Sequence, residues 1–227
     1  IAETQHNQNN PIWTNDGIDR IKQLVNNNNL TLHALCNDYI VEHTLLDEDV
    51  IQQNIDLIEQ GKKLGVEKYI IPLFESSELT VDNMSNYINP LRRIAISARD
   101  NNITVCLETI LTGEELIELL KLIDIPYVKA VYDTGNRVAF GHNLSKDIRL
   151  LGNYIGHVHI KDKNSGNENV LLGTGLVNFE QVFYALRDIN YDGPFTFETT
   201  RGSSPVETAK YNMNLVNFFK RNAELNV

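Results

Sequence analysis

The chain has little cysteine, little basic charge and no long apolar run, and each shortage excludes something. Its two cysteines, Cys36 and Cys106, lie inside apolar, strand-like segments, LHALC and ITVCL. Isolated cysteines in such surroundings pack as small hydrophobes, so free thiols are expected and a disulfide between them is not. Lysine and arginine number 20 against 30 aspartates and glutamates, a formal net charge of −10, and no basic stripe is present to neutralise phosphates. Nucleic acid and anionic membrane are therefore poor partners. The apolar runs are strand-length, well short of the roughly 20 residues a membrane span needs, and no signal-peptide pattern stands at the start. These absences predict a soluble, cytoplasmic protein. At 227 residues the chain suits one sizeable core, and nothing marks a second domain, so a single domain over residues 1–227 is expected.

What is present alternates between two periods, short β-branched runs and longer amphipathic stretches, the pattern of repeated β/α units around a parallel sheet. Strands are predicted near Leu30 to Cys36, Lys68 to Leu73, Thr104 to Glu108, Ala130 to Asp133, Ile155 to Ile160 and Pro194 to Glu198. Helices are predicted over Asp16 to Asn26, Asp47 to Leu64, Val81 to Asp100, Gly113 to Ile123, Ser145 to Leu151, Phe179 to Asn190 and Pro205 to Arg221. Thr112 with Glu115 and Ser204 with Glu207 fit capping boxes, and Pro205 occupies the favoured first helical position. Ile1-Ala2-Glu3 precedes a loop and helix as the tail of a strand would. Counting it gives seven strands where a closed barrel has eight, so a (β/α)8 TIM barrel lacking its first β/α unit is expected, with an edge open between first and last strands. The competing explanation for an initial Ile is a removed Met or a trimmed leader.

Four side chains that a divalent metal accepts end four successive predicted strands: Glu108 in VCLET, Asp133 in AVYDTGN, His159 in GHVHIKD and Glu198 in FTFET. The gaps of about 25, 26 and 39 residues match one β/α unit each, so each unit delivers one ligand to the catalytic rim of a barrel. Side chains alternate faces along a strand, which puts Thr104, Cys106 and Glu108, Val131 and Asp133, His157, His159 and Lys161, and Thr196 and Glu198 on the inward face. Leu107, Val158, Ile160, Phe195 and Phe197 then point outward, toward covering helices. Three carboxylates and an imidazole form a hard, oxygen-rich set suited to one divalent ion, Mn²⁺, Mg²⁺, Co²⁺ or Zn²⁺. Without a cation the carboxylates would repel one another.

These residues resemble the xylose isomerase-like barrels, the AP endonuclease 2 superfamily, which includes sugar isomerases, ketose 3-epimerases, hydroxypyruvate isomerase, inosose dehydratase and endonuclease IV. The resemblance runs from Ile1 onward and is carried by LET at 107–109, YDTGN at 132–136, GHVHIKD at 156–162, LGTGLVNFEQVFYALRDINYDGPFTFET at 172–199 and Arg201. It implies that Glu108, Asp133, His159 and Glu198 bind one metal and that Glu108 and Glu198 are the catalytic acid/base pair. Two departures narrow it. Many relatives carry a histidine three residues after the aspartate, where Asn136 stands, which weakens an endonuclease reading. Some ketose epimerases carry an arginine six residues after the metal histidine, where Ser165 stands, which weakens a free-ketose 3-epimerase.

Substrate contacts are expected from His157, one layer below His159, from Lys161 and Arg201 at the rim, and from Glu75 in PLFESSEL. The stretch from Lys161 to Gly175, rich in Gly, Asn and Ser, reads as a mobile loop over the site. The leading expectation is an isomerase or epimerase of sugars or sugar phosphates, working by carboxylate-mediated proton transfer through a metal-stabilised enediolate. An inosose-dehydratase-like lyase and a non-catalytic metabolite-binding barrel are the alternatives. The expected partner is a small sugar or sugar phosphate, with a homodimer left open.

Overall fold

The β-branched runs form parallel strands, and the amphipathic stretches form the helices that cover them, in a computed structural model that describes residues 10–225. Two compact units divide these residues: those through Leu111 together with Glu118–Lys129, and Thr112–Ile117 together with those from Ala130 on. Each is taken by itself.

In the first unit, α1 (Asn15–Asn27) starts at Thr14, whose Oγ1 accepts the Gly17 N–H at 3.0 Å. The strands β1 (Ala34–Cys36), β2 (Lys68–Pro72) and β3 (Thr104–Glu108) pair in parallel, with Ala34 beside Lys68 and Lys68 beside Thr104. A short helix α2 (Tyr39–Glu42) follows β1, and the two long helices α3 (Glu48–Leu64) and α4 (Met84–Asp100) link the strands. Helix α3 ends at Gly65, whose φ of 76° closes the helix in the left-handed conformation that glycine adopts without strain. Leu57, Ile58, Tyr69, Ile71, Leu91 and Ile94 are buried as the unit's core.

The first strand is shorter than the Leu30 to Cys36 expected. The Leu30 N–H donates to Val25 O at 2.9 Å, finishing α1, and Leu30 is 63% exposed, so the chain enters the ladder only at Ala34. The expected strand tail at Ile1–Glu3, and with it the seventh strand, lies outside the described residues.

The helix α5 (Gly113–Ile123) begins in the second unit, where the capping box forms as expected: the Thr112 N–H donates to Glu115 Oε2 at 2.8 Å and the Glu115 N–H to Thr112 Oγ1 at 3.3 Å. Three parallel strands follow, β4 (Val128–Asp133), β5 (Ile155–Ile160) and β6 (Phe195–Phe197), with the helices α6 (Thr134–Ala139), α7 (Leu144–Leu151), α8 (Phe179–Asp188) and α9 (Pro205–Asn222). Pro205 opens α9, but Ser204 makes no side-chain cap. Glu207 pairs instead with Lys210 at 2.8 Å, so the second expected box is absent. On the face of β6 away from Thr196, Phe195 packs against Phe183 and Tyr191, with ring centroids 5.4 and 5.6 Å apart, and Phe219 of α9 joins Phe183 and Phe179. That aromatic layer fixes which face of β6 carries Thr196 and Glu198.

Candidate metal centre

Asp133 ends β4 and starts α6, and its two oxygens divide the work. Oδ1 accepts the Asn136 N–H at 2.7 Å as the helix cap, and Oδ2 faces His159 Nδ1 at 3.7 Å. His159 is the register partner of Asp133 in β5, so parallel pairing alone brings the two side chains to one face. Glu198 stands one residue past β6 and continues its ladder, its N–H donating to Ile160 O at 3.2 Å. Its Oε2 lies 2.9 Å from His159 Nδ1. Asp133 and His159 are buried, whereas the Glu198 side chain is half-exposed. Burial works to raise the Glu198 carboxyl, but the hydrogen bond from His159 and the charge of Lys161 outweigh it and hold its pKa at about 2.

Asp133, His159 and Glu198 each offer one ligand atom, and these atoms lie within 4.8 Å of one another. Two carboxylate oxygens and an imidazole nitrogen, one contributed at the end of each strand, are a donor set that a divalent ion fits. They are three of the four residues expected at the site. Glu108 is the buried last residue of β3 in the first unit, where its charge helps to raise the Cys36 thiol, after burial and Asp38.

The four expected substrate contacts separate. His157 is fully buried, 2.9 Å from Thr196 Oγ1 through Nε2, and its ring stands edge-on to that of His159 at 5.2 Å, so it packs against His159. Lys161 stands one residue past β5 and is buried. It is 5% exposed, and its Nζ lies 2.7 Å from Glu198 Oε1 and 3.2 Å from Asp133 Oδ2. Lysine is almost never buried unless paired, and here its partners are the carboxylates of Asp133 and Glu198. Arg201 is exposed in the segment between β6 and α9. Glu75 is exposed in the first unit, three residues past β2, with a φ of 49° that is rare for a residue other than glycine.

The stretch from Lys161 to Gly175 is built rather than loose. Asp162, fully buried, accepts the N–H groups of Lys163, Gly173, Gly175 and Val177 at 2.9 to 3.1 Å. Lys163 and Asn169 add an antiparallel bridge. Sequence reasoning missed Asp162. The signal available was a carboxylate directly after GHVHIK and ahead of several glycines that have no side chain to block its approach: a Cβ at Gly175 would meet Asp162 Oδ1 at 2.3 Å.

A family profile for the xylose isomerase-like TIM barrel matches residues 2–220. Among curated proteins, L-ribulose 3-epimerase from a Methylomonas species is 31% identical over 126 residues, 52% of this chain and 43% of that protein. Inosose dehydratase from Clostridium tetani is 26% identical over 181 residues, 69% of this chain and 60% of that protein. The matches thus span about half the length of these relatives, and sugar epimerases recur among them. A xylose isomerase domain protein from Planctomyces limnophilus superposes with a TM-score of 0.82, covering 93% of this chain and 85% of its own at 17% identity, a likeness of fold.

Proposed function

The chain belongs to the xylose isomerase-like TIM barrel family, and from that premise we propose that it is a divalent-metal-dependent isomerase or epimerase of a sugar or sugar phosphate, one barrel domain over residues 1–227. The observation that carries the reading is the convergence of Asp133, His159 and Glu198 at the ends of three parallel strands. Glu108 is the fourth ligand in this reading. It ends the strand before β4 in the chain, on the alternation that gives the ligand face. The ion, Mn²⁺, Mg²⁺, Co²⁺ or Zn²⁺, would acidify a C–H next to the substrate carbonyl and stabilise the negative charge left when that proton departs.

The protein groups do the rest. Glu198 takes the proton in this reading, and Glu108 returns one to the other side of the carbon. Two carboxylates acting from opposite faces invert a carbon, whereas one acting alone gives an aldose–ketose shift. His157 orients His159, and Arg201 and Glu75 are the groups left to contact the substrate. A lyase is the second reading, supported by the inosose dehydratase match, since removal of water β to a carbonyl begins with the same proton abstraction.

Proton exchange tests the proposal. With Mn²⁺ in deuterated water, the protein should introduce deuterium next to the carbonyl of some member of a panel of ketoses and ketose phosphates. Glu108→Gln and Glu198→Gln should each slow that exchange by about 10²- to 10⁴-fold. A protein that carries no stoichiometric divalent ion, together with a double variant that binds ligand as well as wild type, would leave only the binding-barrel reading.

A further inference from the structure

Four consecutive residues, Asp133 to Asn136, each meet Lys161. The Thr134 Oγ1 accepts the Lys161 N–H at 3.0 Å and donates to the Lys161 carbonyl at 2.6 Å, clamping its backbone from both sides. Gly135 leaves room for the aliphatic stem: a Cβ there would stand 2.6 Å from Lys161 Cγ and 3.0 Å from its Cβ. Asn136 Oδ1 is 3.5 Å from the ammonium, and Asp133 Oδ2 is 3.2 Å from it. The D-T-G-N segment is therefore a seat for one side chain, and that side chain ends between two ligand carboxylates. A buried lysine needs its charge paired, and this seat holds the ammonium against both carboxylates.

We propose that Lys161 is a resident counter-cation of the metal centre. It holds Glu198 and Asp133 in place when no divalent ion is bound, and it competes with the ion for them. The inference rests on the reading above that these residues bind a divalent metal. The division of oxygens gives its direction. Glu198 turns Oε1 to Lys161 and Oε2 to His159, so the ammonium fixes a carboxylate that exposure would otherwise leave free to rotate. Asp133 has committed Oδ1 to the α6 cap, so Oδ2 is the oxygen left for both the ammonium and an incoming ion. An ion taking that oxygen works against a positive charge already there. Lys161 thus stabilises the empty site and weakens metal binding, a positioning residue and not a substrate anchor.

The test compares wild type with Lys161→Met, which keeps the stem and removes the charge, and with Gly135→Ala, which keeps the charge and displaces the stem. The full chain is stripped with chelator and titrated with Mn²⁺ by calorimetry, and its thermal unfolding is followed with and without saturating Mn²⁺. Lys161→Met should bind Mn²⁺ at least tenfold more tightly and melt several degrees lower without metal, with the gap largely closed by Mn²⁺. Gly135→Ala should shift affinity the same way by at least threefold, which keeps the test alive if Lys161→Met fails to fold. Unchanged or weaker Mn²⁺ binding in both variants, against a wild type that binds, overturns the role of Lys161 alone. A wild type that binds no Mn²⁺ overturns the metal reading and the inference with it.

Discussion

The thiols of Cys36 and Cys106 show how burial shapes the chemistry of a residue. Cys106 lies fully buried in β3, and desolvation pushes its thiol up to about 12 from 9.0. Burial also raises Cys36 well above its usual value, with Asp38 adding to it, and its Sγ donates to Asp38 Oδ1 at 3.3 Å. Both thiols are free. For an acid raised in the fold, the stabilisation is fully present below the unfolded value and is lost as pH rises through the folded one. The window for Cys106 therefore opens near pH 9 and closes near 12, with a slope of about 1.4 kcal/mol per pH unit for one buried thiol. Denaturant melts at pH 8, 9 and 10 should show that decline, and Cys106→Ala should reduce it, leaving the part that Cys36 contributes. At pH 8, iodoacetamide should leave Cys106 unlabelled until denaturant is added. Rapid native labelling of Cys106 would show that the strand is not packed as described.

Between the elements, the segment after β5 depends on one carboxylate. Asp162 gathers four backbone N–H groups from Lys163 to Val177, and each charge-assisted bond of this kind contributes about 1.5–3 kcal/mol when buried. Asp162→Ala should therefore release the segment, seen as new proteolytic cleavage between Lys163 and Gly175 and a lowered melting temperature. Asp162→Asn, which keeps one acceptor oxygen, should do so less. An uncut loop in Asp162→Ala would mean that the Lys163–Asn169 bridge suffices. The same segment shows where the sequence stops being readable. Helices α5 and α9 announce themselves by apolar period and by Thr112, Glu115 and Pro205, and the common face of Asp133, His159 and Glu198 by the alternation along strands. Asp162 bonds to groups as far as 15 residues on, with no period to betray it, so the segment's composition shows its flexible residues and not its hydrogen bonds. Helix α6 hid for a related reason: its cap is a metal-type aspartate, and T-G-N after it looks like a turn. The alternation of faces puts Lys161 inward, but the room for its stem comes from Gly135, just past the end of the preceding strand.

At the scale of the whole molecule, a site of clustered carboxylates links metal to stability. Any ion that binds the folded state and not the unfolded one stabilises it by about 2.7 kcal/mol at a hundredfold excess over Kd. For a chain of this size each kcal/mol moves the midpoint by about 2–4 °C, so saturating Mn²⁺ should raise the melting temperature by roughly 5–10 °C, and chelator should reverse it. A formal net charge of −10 attracts cations non-specifically as well, and salt separates the two effects. Diffuse attraction is screened over about 10 Å at 0.1 M salt, while an ion held among ligand atoms within 4.8 Å of one another is screened far less. The shift should therefore survive 0.3 M KCl. Asp133→Asn is the matched control, because asparagine caps a helix as well as aspartate does and can keep the bond to the Asn136 N–H while losing the ligand charge. That variant should fold, melt near the metal-free wild type, and gain little from Mn²⁺. A shift equal to that of wild type would place the ion elsewhere on the acidic surface, and no shift with any of Mn²⁺, Mg²⁺, Co²⁺ or Zn²⁺ would remove the metal from the chemistry proposed.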